Sequence, residues 1–156
     1  MDDVILAIIS LLKTQFTTTY NEYFYGENII PSEPMFPFIE VIPNASSINN
    51  RGTGGTKNNT FSVTIKIKDS LKKYLNSNTN QSKFSALQTM VKRMEERTLN
   101  IFKNTSVMYV LANNLKLSDT ANINENWEIN YDVVPLDGSY VIISSVTFNV
   151  NLLSYA

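Results

Sequence analysis

Residues 61–68 read FSVTIKIK, and this stretch decides the fold. Phe61, Val63, Ile65 and Ile67 alternate with Ser62, Thr64, Lys66 and Lys68. Side chains on a strand point to opposite faces at each step, so the pattern is a one-sided strand with an apolar face to cover. Upstream, Phe38 to Ile42 reads as a partner strand, opened by Pro37 and closed by Pro43, both tolerated at strand ends. Between them, residues 43–59 read PNASSINNRGTGGTKNN, with three glycines, the basic residues Arg51 and Lys57, and little that could enter a core. At roughly 17 residues this predicts a long loop of the functional or unfolded kind. Its RGTGGTK core lacks phosphate-loop spacing and runs into a strand rather than a helix.

Helices supply the cover. Residues 2 to about 17 carry Ile5, Ile8, Ile9, Leu12 and Phe16 at helical spacing, with Asp2 and Asp3 at the positive end of the dipole. Val4, Leu6, Ala7 and Leu11 extend the apolar surface around most of the circumference, which predicts burial on more than one side. The run Val4–Leu12 follows acidic rather than basic residues and falls short of the roughly 20 needed to span a bilayer, so a helix and no membrane partner is expected. The aromatics of residues 18–36 read as a connecting segment packed onto the core, with a ligand-lining role as the alternative. After the polar connection 75–81, a second helix is expected over about 82–103. Its stripe is Phe84, Leu87, Val91, Met94 and Ile101, and Lys92, Arg93, Glu95, Glu96 and Arg97 form a solvated face.

Three strands should close the chain: Val107–Leu111, the alternating Trp127, Ile129, Tyr131 and Val133, and a last strand over Tyr140–Leu153 turned at Asp137-Gly138. The expected fold is α+β in one domain over 1–156. It has a mainly antiparallel twisted sheet of four to five strands packed with two helices, and a long loop between the first two strands. Straight, the last strand would extend about 46 Å, against a diameter of roughly 39 Å for a compact domain of this length. It must bend or reach a neighbour.

Composition narrows the chemistry. The 156 residues contain no histidine and no cysteine, which removes the side chains best suited to proton transfer, nucleophilic attack and soft-metal binding at neutral pH. A net charge of −1 leaves no electrostatic footprint for nucleic acid or anionic lipid. Among carboxylates, Glu95 and Glu96 diverge by about 100° on a helix. Glu22, Glu27, Glu33 and Glu40 lie along the aromatic connection with no spacing that forms a glycosidase pair, and Asp132 and Asp137 stand outside any cation-loop pattern. No catalytic residue, cofactor or metal site is expected. Binding and assembly fit better.

The element order resembles the tail terminator (tail completion, minor tail protein) family of long-tailed bacteriophages. The segments that carry the resemblance are DDVILAIISLLKTQF, MFPFIEVIPN with its Gly-rich loop, FSVTIKIKD, WEINYDVV and YVIISSVTFNVNLL. The resemblance implies a structural protein, made in the bacterial host cytoplasm and residing in the tail–neck region of the virion. There a ring of copies, hexameric in that family, caps the tail tube protein and joins it to the head connector. Such a role needs no enzyme activity, cofactor, membrane or sequence-specific nucleic-acid contact. The family's loop commonly faces an assembly partner, which implies that role for Arg51, Gly52, Thr53, Gly54, Gly55 and Lys57. Ring closure needs two unlike patches per subunit. The first helix (Val4, Leu6, Leu11) and the end of the last strand (Val150, Leu152, Tyr155) are the candidates. Competing readings are a head-side adaptor or neck ring, the cap of a contractile injection machine, a small-ligand module lined by the Tyr20–Phe38 aromatics, and an enzyme working with carboxylates alone.

Overall fold

The computed structural model describes residues 2–26, 36–51, 56–71, 88–89, 91–92, 94, 106–118, 120–136 and 139–155. The elements are α1 (Asp2–Gln15), β1 (Glu22–Tyr25), β2 (Phe38–Arg51), β3 (Thr56–Ser70), α2 (Val107–Ala112), β4 (Ala121–Leu136) and β5 (Ser139–Tyr155). The strands form one five-stranded sheet in the order β1-β2-β3-β5-β4. β1 runs parallel to β2, and every other pair is antiparallel. The protein is α+β.

The alternation that defines β3 sets both faces of the sheet. Val63, Ile65 and Ile67 join Ile39 and Val41 of β2 and Ile142, Val146, Phe148 and Val150 of β5. This helix face packs against Val4, Ile5, Ile8, Ile9 and Leu12 of α1 and Val107, Met108, Val110 and Leu111 of α2. The broad apolar surface of α1 is therefore spent on the sheet and on α2 together. Leu6, at 55% exposure, is its one large apolar side chain left outside. The back face holds a smaller cluster of Phe36, Phe38 and Val141, with Phe24 and Ile143 against it. Beside it the Lys68 ammonium pairs with the Glu40 carboxylate, both buried. The Lys68 Nζ also lies 5.8 Å from the centre of the Phe38 ring.

Several expectations are corrected. Val107–Leu111 is the helix α2 rather than a strand: Val107, Met108, Val110 and Leu111 are all buried, spaced as one helical stripe. A short apolar run has no periodicity that separates the two states. Within 18–36, Glu22–Tyr25 is not a connection but the parallel edge strand β1. The second helix is represented by helical residues 88, 89, 91, 92 and 94, with Met94 in the core; the rest of 82–103 lies outside the described residues.

The loop expected at 43–59 is largely strand. After an irregularity between Pro43 and Ser46, β2 pairs with β3 from Ser46↔Phe61 to Arg51↔Thr56. Polar side chains do not prevent pairing, because the ladder is made by backbone groups that every residue but proline supplies. The end of the last strand is likewise paired within its own chain. Leu153, Ser154 and Tyr155 pair with Asn58, Lys57 and Thr56 of the same chain, and β5 sits between β3 and β4.

Candidate assembly surfaces

The residues expected to form an assembly loop and those at the end of the last strand converge. Register places Arg51 opposite Thr56 and Thr56 opposite Tyr155, while Asn50, Lys57 and Ser154 form the next row. Both basic residues thus sit at one end of a three-stranded ribbon. Gly52, Thr53, Gly54 and Gly55 lie outside the described residues, as does the Tyr155 side chain.

The helix and strand candidates separate into spent and available residues. Val4 and Val150 are buried in the subunit's own core, at 4% and 0% exposure, and so have little surface to offer a neighbour. Leu11 and Leu152 are half-buried against that core. Val4 and Leu152 nevertheless meet in one cleft of about 260 Å³. Ala7, Leu117 and Ala121 complete its apolar wall, and Asp3, Ser118 and Thr120 supply its polar lining. Ser118 Oγ accepts hydrogen bonds from the Thr120 and Ala121 amides at 3.3 and 3.1 Å, closing the turn into β4 beside the cleft. Leu6 lies instead on a shallow open groove along α1, with Ser10, Lys13, Thr14 and Thr17.

The most prominent exposed apolar surface was not anticipated. Tyr131 and Val133 of β4 are 43% and 50% exposed, Val134 38%, and Tyr140 of β5 41%. The pairings Tyr131↔Ser144, Val133↔Ile142 and Pro135↔Tyr140 put Tyr131, Val133 and Tyr140 on the helix face. Alternation was legible in 127–133, but it says only which residues share a face, not whether a helix reaches far enough to cover it. β4 is also an edge strand. Beyond the bridge Lys116↔Asn122, its outer edge has no partner strand among the described residues. It carries exposed Glu125, Glu128 and Asp132, no lysine or arginine, and Pro135, the devices that keep an edge from indiscriminate pairing.

The chemistry considered from sequence is dispersed. Tyr20 and Tyr23 pack on the helix face and Phe24, Phe36 and Phe38 on the back face, so these aromatics cannot line one pocket. Phe16, Tyr20 and Tyr23 stack edge to face, with ring centres 5.6 and 6.1 Å apart. The Tyr23 hydroxyl donates to the Phe16 carbonyl at 2.8 Å, and burial pushes its pKa from 10 up to about 12. Of the four glutamates along this segment, Glu22 is exposed, Glu40 is paired with Lys68, and Glu27 and Glu33 lie outside the described residues. Among the described residues no cluster of acidic side chains is arranged to hold a metal. No helix there is long and apolar enough to cross a membrane. No protein-family model matches the chain, and no curated protein matches it in sequence.

Proposed function

We propose that this chain is a structural subunit of a bacteriophage tail terminator. In this reading, copies form a ring that caps the tail tube and meets the head connector, without catalysis. Supporting it are the α+β element order and the pairing of an acidic edge strand with a basic ribbon end on one subunit. The observation that carries it is the exposed apolar patch of Tyr131, Val133 and Tyr140 beside the outer edge of β4, which has no partner strand among the described residues. Those side chains offer roughly 300 Å². At ~25 cal/mol per Å² their burial would yield about 7 kcal/mol before association costs of about 4–15 kcal/mol. One such contact gives a weak pair. A closed ring, in which each subunit makes two contacts, gives a stable assembly from the same surface.

Sedimentation across a concentration series tests the reading. The native chain should pass from monomer to one closed species, visible as rings by electron microscopy, and Val133→Asp should remain a folded monomer. A native chain that stays monomeric at high concentration would overturn it, as would turnover of a substrate.

A further inference from the structure

Resting on the ring reading, the structure assigns the partner of the exposed patch: we propose that the cleft beside α1 receives the Tyr140 and Val133 end of a second copy of this chain. The two surfaces match in size. The cleft holds about 260 Å³, the share of roughly nine waters at ~30 Å³ each, which admits one tyrosine side chain of on the order of eight heavy atoms. They also match in chemistry. Ala7, Leu117 and Leu152 give a ring its apolar wall, while the Asp3 carboxylate can accept a phenolic hydrogen. Tyrosine, apolar in its body and polar at its tip, suits such a lining better than the flat groove on the outer side of α1.

Position supplies the rest. Leu152 and Tyr140 lie on the same strand, twelve residues apart and thus separated by roughly 40 Å along it. Cleft and patch are therefore at opposite ends of one subunit, and a contact between them is heterologous. Each copy would offer a socket at one end and a plug at the other, which propagates and closes into a ring when the rotation permits.

The absence of cysteine makes the test clean. Ala7→Cys and Tyr140→Cys are introduced singly and together, and each variant is checked for native circular dichroism before mild oxidation. A disulfide needs Cα atoms within about 7 Å, so the two sites cannot join within one molecule and any bond between them is intermolecular. The double variant should give a ladder of covalent oligomers, at a yield about tenfold above either single variant. Ala7→Trp, which fills the socket, should weaken self-association about tenfold or more while leaving the melting temperature of the subunit unchanged. A ladder ending at one closed band supports socket and ring together. An unlimited ladder keeps the socket and sinks the ring. A double variant no better than the singles, in protein that sediments as an oligomer, overturns the socket and leaves the ring standing. Efficient dimers from Tyr140→Cys alone overturn it as well, since they report a symmetric contact.

Discussion

Removing one half of the Glu40–Lys68 pair should be among the most damaging single changes to this fold. The two side chains are 0% and 8% exposed. On the back face Glu40 is paired in register with Phe24 and with Lys66, whereas Lys68 lies between Phe38 and Ile143. Glu40→Leu leaves the Lys68 ammonium between Phe38 and Ile143 without its anion, a loss of about 3–5 kcal/mol. That is a large share of a domain stability of about 5–15 kcal/mol. With a urea m-value of about 2 kcal/mol/M, the unfolding midpoint should fall by roughly 2 M. Lys68→Met should cost less, about 1–3 kcal/mol, because Lys66 stays opposite the Glu40 carboxylate. Combined, the two substitutions extend the Phe36, Phe38 and Val141 cluster, and the double variant should lie within about 1 kcal/mol of the native protein or above it. Fluorescence of Trp127, the one tryptophan, follows the transition from a site 5.5 Å from the Phe148 ring. The reasoning fails if either single change costs under about 1 kcal/mol, or if the two losses add in the double variant.

Three further changes probe other parts of the structure. Phe148→Ala should cost about 3–5 kcal/mol and alter Trp127 emission in the native state, because Phe148 is 1% exposed and packs on that ring. Ser106→Ala should lie within about 0.5 kcal/mol of native by chemical denaturation, unlike the usual loss of about 1 kcal/mol at a helix cap. The Ser106 hydroxyl is buried yet makes no cap hydrogen bond to α2. Above pH 10, stability should decline as pH rises toward 12, since the unfolded chain releases the Tyr23 proton while the folded chain retains it. Tyr23→Phe should flatten this part of the stability profile, read from urea midpoints in base; an unchanged slope would place the base sensitivity elsewhere.

How far the sequence spoke depended on what held each element. The helix-face alternation in FSVTIKIK, and the α1 stripe against it, fixed the sheet and its cover, because core burial imposes a period. Periodicity was mute for α2, where six residues are too few to separate strand from helix. It was misleading at 43–59, where backbone pairing rather than side-chain burial makes the strand. For the candidate surfaces, sequence named residues at both ends of the sheet but could not tell spent from available. Val4 and Val150 look no different in composition from Val133, yet the first two are covered by their own chain and the third is not. Coverage depends on where α1 and α2 end over the sheet, a property of tertiary geometry.

The asparagine, serine and threonine that replace charge in this chain have a structural use at the ribbon end. A strand polar on both faces is poorly pinned in register, since a one-residue slip exposes nothing apolar. Here side-chain hydrogen bonds on the back face add the missing constraint. Thr60 Oγ1 donates to Asn151 Oδ1 at 3.0 Å, and Asn151 Nδ2 donates to Asn124 Oδ1 at 2.8 Å, tying β3 to β5 and β5 to β4. Asn44 Nδ2 donates to Thr64 Oγ1 at 2.6 Å, and the Thr64 and Thr147 hydroxyls share a hydrogen bond at 2.9 Å, tying β2 to β3 and β3 to β5. At about 0.5–1.5 kcal/mol each, such bonds add modestly to stability, but a slip by one residue would break all of them together. A ribbon fixed in this way holds Arg51 and Lys57 at a constant position relative to the rest of the sheet. In the proposed ring that constancy matters more than stability, because every copy must present the same end to the same partner.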